Sequence, residues 1–140
     1  MSNSIFGLSS RVFVLLTATA LTACSSVGTG RVFRSSPSAV VRNSYMYCND
    51  GQYSKVDDLL SADSKKLMHG DLGAMVGGLK GACENASHNG MITSVDVKSE
   101  AVRGEGATVI VDIHFKDNTT KQDDRTDLIL ESGSWKILLH

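Results

Sequence analysis

The chain has 140 residues, enough for one domain, with 14 basic and 15 acidic side chains. This near-neutral balance argues against a nucleic-acid-binding protein, which needs a concentrated basic surface to replace phosphate counterions. One proline and an ordinary share of aliphatic residues indicate a folded globule and not a disordered tail.

The first 23 residues have the three parts of a signal peptide. Residues 1–11 are polar and carry one cation, Arg11, residues 12–21 form an apolar run, and Thr22 and Ala23 are small. The run of about 10 residues is too short for a permanent transmembrane helix, which needs about 20. We therefore expect residues 1–23 to be a signal peptide, with an uncleaved anchor or a buried helix as the alternatives.

The segment Leu21-Thr22-Ala23-Cys24 resembles the bacterial lipobox, in which a cysteine follows a leucine and two small residues. The resemblance implies that residues 1–23 are removed and that lipid, including a palmitate-type acyl chain, is attached to Cys24. In such lipoproteins an aspartate after the cysteine usually retains the protein in the inner membrane. Ser25 therefore implies anchoring in the outer membrane, facing the periplasm, if the host has one.

Residues 24–36 are rich in serine and glycine, which is typical of a flexible tether. The folded domain is expected over residues 37–140, because Ser36 followed by Pro37 is a helix-start signal. With Cys24 lipidated, Cys48 and Cys83 remain as a pair. In an oxidising compartment a disulfide between them is favoured, and two buried free thiols are the alternative.

Helical spacing of apolar residues after Pro37 predicts a first helix that ends near Gly51. Ser54 and Asp57 resemble a capping box and predict a second helix that starts at Ser54. Residues 61–90 contain helical stretches weakened by several glycines, and residues 85–90 are predicted to form a loop.

From Met91 the apolar residues recur at every second position, which predicts strands. Alternation is found over residues 93–97, 109–115, 128–130 and 135–139, with turn residues between these segments. Helices followed by strands on short turns predict an α+β fold. We expect two or three N-terminal helices packed on a curved, four-stranded antiparallel meander.

This order of elements resembles the cystatin-like and nuclear transport factor 2 (NTF2)-like folds, and more closely small NTF2-like bacterial lipoproteins of unknown function. The resemblance lies in the first helix, in residues 52–60 and 107–117, and in the closing segment Leu128 to Ile137 with its Trp-Lys-Ile strand. It covers most of residues 37–139. It implies a cone-shaped domain of a kind that serves isomerases, dehydratases, binding modules and dimerisation domains, so the fold alone selects no activity.

Asp112 and His114 are the candidate chemical pair, because they lie two residues apart on one strand and share a face. A carboxylate can orient an imidazole for acid–base work. The simpler alternative is that both belong to the solvated face of a half-polar strand. Tyr45 and Tyr47 are candidates to line a pocket between the first helix and the sheet, or to belong to the core.

The four histidines are scattered, and no Cys or His pair has metal-ligand spacing, so we expect no metal and no cofactor. The leading hypothesis is a lipid-anchored envelope protein, not an enzyme, whose domain binds a small ligand or a protein partner. One alternative is an isomerase-like or hydrolase-like enzyme that uses Asp112 and His114. Another is a structural module that forms a homodimer through its outer sheet face.

Overall fold

The computed structural model describes residues 35–140. The first helix, α1, spans Pro37–Asn49. The Ser36 side chain accepts a hydrogen bond from the backbone N–H of Ala39 at 3.2 Å, which caps the helix start as the sequence predicted. Gly51 follows the helix with a φ of 68°, a left-handed conformation that glycine adopts without strain.

Four more helices follow, so the helical layer exceeds the two or three elements predicted. Their bounds are Tyr53–Leu59 (α2), Ala62–His69 (α3), Asp71–Val76 (α4) and Gly78–Ala86 (α5). Gly77, at a φ of 78°, ends α4 and immediately precedes α5. The glycines thus divide this region into short helices and do not remove them. Helix α5 also extends two residues into the predicted loop.

The predicted capping box at Ser54 is wrong. Helix α2 starts one residue earlier, at Tyr53, and Gln52 precedes it without a side-chain cap. The Asp57 carboxylate instead contacts two side chains of α3, with Lys65 Nζ and His69 Nε2 each at 3.1 Å. The reason is tertiary: the neighbouring helix offers Asp57 a lysine and a histidine as partners, in place of the backbone N–H groups at the start of α2.

The four strands form one sheet in the order β1-β2-β3-β4, with each strand antiparallel to its neighbours. Their bounds are Ile92–Arg103, Gly106–Phe115, Thr120–Glu131 and Ser134–Leu138. This confirms the predicted α+β meander. Strands β1 and β3 are longer than their apolar alternation indicated, because their polar residues also join the backbone ladder and form cross-strand side-chain contacts such as Lys98–Asp123.

Strand β2 provides the centre of the core. Its residues alternate strictly between buried and half-buried positions, and every buried member faces the helices. Val41 of α1 is fully buried in the same cluster. The buried β2 residues are Ala107, Val109, Val111, Ile113 and Phe115.

Two buried serines connect the helices to the last strand. Ser61 N donates to the carbonyl of Ile137 at 2.9 Å, and Ser64 Oγ donates to the same oxygen at 3.0 Å. The backbone N–H of Leu139 then donates to Ser64 Oγ at 2.8 Å. These bonds hold the chain beyond β4 against the start of α3.

Cys48 of α1 and Cys83 of α5 are joined in disulfide geometry, with their Cα atoms 4.8 Å apart. The bridge closes a segment of 35 residues and ties α5 to α1. The two cysteines are therefore placed as the predicted pair requires.

Within residues 35–140, no helix is both long and apolar enough to cross a membrane. The signal peptide over residues 1–23, the lipid site at Cys24 and all of the tether over residues 24–36 except its last two positions lie outside the described residues.

Replacing both Cys48 and Cys83 with serine is expected to lower the free energy of unfolding by about 2–4 kcal/mol, because the unfolded chain loses a crosslink. Urea unfolding of both proteins measures the difference. A reductant should shift the wild type towards the double variant and leave the variant unchanged. Equal stability of the two proteins without reductant would contradict the pairing.

Candidate functional site

A cavity of about 430 Å³ lies between the helices and the helix-facing side of the sheet. Helices α1, α2, α3 and α5 contribute to its wall, and β3, β4 and the residues after β4 close the other side. Most of the lining is aliphatic. Its apolar members include Val56, Leu60, Met68, Leu79, Ala82, Ala86, Ile137 and Leu139.

The cavity lies beside the part of β3 that β4 does not pair with. Strand β4 ends at Leu138, whose partner on β3 is Asp127. Within residues 35–140, no strand pairs with β3 on that side before Asp127. Arg125, Thr126 and Asp127 therefore border the cavity, together with His140.

A β-bulge places charged groups on the helix side of β3. Val111 lies opposite Asp124, and Ile113 lies opposite Lys121, so β3 has one more residue than β2 over this interval. Asp123, with a φ of 55°, lies in the bulge. Lys121 and Asp124 would face opposite sides of a regular strand, but here Lys121 Nζ lies 2.6 Å from Asp124 Oδ1.

Tyr45 of α1 crosses from the helix layer to this carboxylate. Its hydroxyl donates a hydrogen bond to Asp124 Oδ2. Burial first, and then the bond to Asp124, raise the pKa of the Tyr45 hydroxyl well above its usual range. Tyr45 therefore stays protonated and acts as a fixed donor that ties α1 to β3.

A second polar cluster surrounds Asp127. Arg125 donates to Asp127 Oδ1 through Nε at 3.2 Å and a terminal nitrogen at 3.0 Å, and Thr108 Oγ1 donates to it at 2.7 Å. His140 Nε2 lies 3.6 Å from Asp127 Oδ2. The Thr108 bond and then Arg125 lower the pKa of the Asp127 carboxyl, although partial burial opposes them. Asp127 is therefore ionised at neutral pH.

This cluster also borders a second depression of about 560 Å³, at the ends of β1 and β2. Ala101, Arg103 and Thr108 line that groove, but they do not line the cavity. Arg125, Asp127, Leu138 and His140 line both. Arg125 and Asp127 lie opposite Ile110 and Thr108 of β2, on the sheet face that turns away from the helices, so they border the cavity at the open edge of β3 and not from its helix side.

Asp112 and His114 lie away from the cavity, on the sheet face opposite Val111 and Ile113. His114 bonds Asp96 through Nε2 at 3.0 Å and Thr120 through Nδ1 at 2.9 Å, and it has no bond to Asp112 in the part of the chain described. Asp112 accepts from the backbone N–H of Asp123 at 2.9 Å.

Neither residue lines the cavity or the groove. Strict alternation along β2 explains this, because the face that carries Asp112 and His114 is the one that turns away from the helices.

The two candidate tyrosines also separate. Tyr45 lines the cavity, whereas Tyr47 does not. The ring of Tyr47 instead lies 5.1 Å from Lys55 Nζ, a cation–π distance on the helix surface. Of the four side chains proposed for a pocket, the structure brings only Tyr45 to it.

Sequence reasoning missed Asp124, Arg125 and Asp127. The run from Asp123 to Asp127 is typical of a solvated, mixed-charge stretch, and its alternation is broken by the bulge.

Within residues 35–140 there is no group of three His, Cys, Asp or Glu side chains placed to hold a metal ion.

Comparison with solved structures identifies the architecture. An NTF2-like protein of Campylobacter jejuni, described as a transpeptidase, superposes with a TM-score of 0.57 at 15% identity, over 76% of this chain and all of that one. The domain has the NTF2-like fold.

A SEC-C motif-containing protein of Rhodopseudomonas palustris matches with a TM-score of 0.51 at 15% identity, over 74% of this chain and 75% of that one. No family model matches the chain, and no curated protein matches its sequence. At such low identity the likenesses establish the fold and leave the activity open.

Because the pKa of Tyr45 is raised on folding, its neutral form contributes stability below the unfolded-state pKa of about 10, and that stability declines as pH rises further. We expect Tyr45→Phe to be less stable than wild type at neutral pH, with a gap that narrows above about pH 10. Urea unfolding across this range tests the expectation. A gap that stays constant would contradict the raised pKa.

Proposed function

We propose that this protein is a lipid-anchored binding protein of the bacterial envelope, whose NTF2-like domain holds a small, mainly apolar ligand without chemical conversion. The observation that supports binding is the cavity of about 430 Å³ between helices and sheet. Its size falls within the range of about 300–1,000 Å³ that is typical of small-molecule sites. Aliphatic walls with a few polar groups at one end are the usual composition of such sites.

The arrangement of the walls supports a preformed site. The Cys48–Cys83 bridge ties α5 to α1, and the Ser61 and Ser64 bonds tie α3 to the end of β4. Tyr45 holds α1 to β3 through Asp124. These ties connect the helices that line the cavity to one another and to the sheet, which favours walls that keep their positions without a ligand.

Catalysis has less support than binding. Asp112 and His114 lie outside the cavity, and each has another partner. Asp127, the carboxylate that lines the cavity, already accepts from Thr108 and Arg125, and Asp124 accepts from Tyr45 and lies next to Lys121. A general base needs a carboxylate within reach of a substrate proton, and both candidate carboxylates are engaged with protein groups instead.

The proposed cellular location rests on the lipobox-like segment Leu21-Thr22-Ala23-Cys24 and on Ser25. On this proposal Cys24 carries the lipid, residues 24–36 act as the tether, and the domain is held in the periplasm near the outer membrane. Binding close to a membrane is consistent with an apolar ligand. A protein partner that delivers or removes such a ligand would also be met there.

We predict that Ala82→Phe abolishes ligand binding, because Ala82 is half-buried on α5 and its methyl group borders the cavity. N-phenylnaphthylamine is a suitable neutral probe, since its fluorescence rises in apolar sites. The wild type should bind it with a stoichiometry of one, and the variant should not. Overpacking costs about 1–3 kcal/mol, so a thermal melt checks that the variant is folded.

Ala74→Phe is the matched control, because Ala74 is exposed on α4 and does not line the cavity. It should bind the probe as the wild type does. If the wild type itself binds no probe, or if Ala82→Phe binds as well as Ala74→Phe, the cavity is not a ligand site.

We also predict that Cys24→Ser moves the protein from the membrane fraction to the soluble fraction, because a serine at this position cannot receive the thioether-linked lipid. Cell fractionation and immunoblotting measure the distribution. Cys48→Ser is the matched control and should remain membrane-bound. Continued membrane association of Cys24→Ser would sink the anchoring part of the proposal.

A further inference from the structure

We propose that the groove at the ends of β1 and β2 is a second binding site, which takes a small organic dianion with one carboxylate near Arg103 and the other near Arg125. The groove lies on the sheet face that turns away from the helices, whereas the cavity lies on the helix side. The inference goes beyond the proposed function and does not depend on it. It follows from the register of the four strands and from the charged groups beside the groove.

The groove follows a row of residues that crosses all four strands. Pairing between neighbouring strands places four of the lining residues in this central row: Ala101, Thr108, Asp127 and Leu138. Gly106, in the next row, has no side chain, and Ala101 has only a methyl group, so the sheet surface is low at this point. The volume of about 560 Å³ lies within the range of about 300–1,000 Å³ that is typical of small-molecule sites.

Two arginines border the central row from opposite sides. Arg103 of β1 pairs with Gly106, in the row on one side, and Arg125 of β3 lies opposite Ile110, in the row on the other side. Both side chains line the groove. Because one arginine is on β1 and the other on β3, they lie diagonally across the central row. A ligand that lies along this row therefore meets one guanidinium near each of its ends.

Both guanidinium groups have unused donors. Each has five N–H donors in a planar fork that matches a carboxylate. Arg125 uses Nε and one terminal nitrogen on Asp127 Oδ1, at 3.2 and 3.0 Å, which orients its side chain. Arg103 is exposed, and among residues 35–140 its side chain has neither a hydrogen bond nor an ion pair. The arginines therefore offer donors that the described part of the protein does not use.

The one acidic side chain of the central row is already satisfied. Asp127 Oδ1 accepts from Thr108 and Arg125, and its other oxygen faces His140 Nε2 at 3.6 Å. Two guanidinium groups and one carboxylate line the groove, so its side chains carry a net positive charge. This charge attracts an anion and repels a cation.

The exposure of the arginines favours a ligand with two acidic groups. The Arg125 side chain is 64% exposed, and a single exposed ion pair contributes little to affinity. A dianion that has bound one arginine makes its second contact within the same complex, so the two weak contacts reinforce each other. A chain of methylene groups between the carboxylates would lie on the low surface at Ala101 and Gly106.

The test compares three compounds with the same octane chain and different ends: octanedioate, octanediol and octanediamine. Each is titrated at neutral pH into the full chain carrying Cys24→Ser, so that no acyl chain is attached. Salt at about 0.15 M screens surface charges more than about 8 Å apart. Backbone amide shifts in heteronuclear NMR give both the affinity and the position of the site.

We expect octanedioate to bind about twentyfold more tightly than octanediol, and octanediamine to bind most weakly. The shifts caused by octanedioate should centre on Ala101, Thr108 and Leu138 of the groove. Amides beside the cavity alone, such as that of Ala82, should not move.

Arg103→Gln should weaken octanedioate about fivefold and leave octanediol unchanged, because only the charged contact is lost. Arg125→Gln should weaken octanedioate further, since it also leaves the charge of Asp127 without its partner. Arg42→Gln is the matched control, because Arg42 is an exposed arginine of α1 that lines neither the groove nor the cavity. It should bind octanedioate as the wild type does, and an unchanged amide spectrum shows that each variant is folded.

Three results would overturn the assignment: octanediol binding as tightly as octanedioate, shifts centred on the cavity, or equal affinities for Arg103→Gln and Arg42→Gln. If a second copy of the chain covers this face instead, sedimentation shows a dimer and octanedioate leaves the groove amides unshifted, which overturns it as well. None of these results bears on the cavity, because the naphthylamine probe and Ala82→Phe test that site separately.

Discussion

The packing of helices against one face of β2 is the constraint on which the rest of the domain depends. Every second residue of this strand is buried against the helix layer, and Val41 of α1 belongs to the same cluster. Dispersion and burial of this row supply the main stabilisation, because each buried aliphatic side chain contributes about 1.5–3 kcal/mol. Once β2 is fixed, its register places β1 on one side and β3 on the other.

The cavity results from elements that are tied together at their ends. A disulfide joins α1 to α5, two buried serines join α3 to β4, and Tyr45 joins α1 to β3. Strand β4 stops at Leu138 and leaves the neighbouring edge of β3 uncovered beside the cavity. The proposed binding function takes this space as the ligand site.

The polar side chains fall into two groups: those whose hydrogen-bonding groups are used within the protein, and those that retain unused hydrogen-bond donors. Tyr45 and Asp124 use their hydrogen-bonding groups on one another, and His114 and Asp112 use theirs within the outer face of the sheet. Arg125 is different, because Asp127 orients its guanidinium and engages only part of it. The proposed binding function needs no free proton acceptor, whereas acid–base catalysis does.

Local sequence signals determined the element types, the start of α1 at Ser36 and Pro37, and the inward face of β2, since caps and alternation depend only on neighbouring residues. A Cys48–Cys83 disulfide was favoured over two free thiols if Cys24 carries lipid, and the structure places the two cysteines in disulfide geometry. What alternation cannot show is a bulge, and the one at Asp123 turned Asp124 towards Tyr45, 79 positions away. Nor can it show that β4 ends at Leu138 and leaves the edge of β3 uncovered beside the cavity. Those features depend on contacts between residues far apart in the chain, and only the tertiary structure decides them.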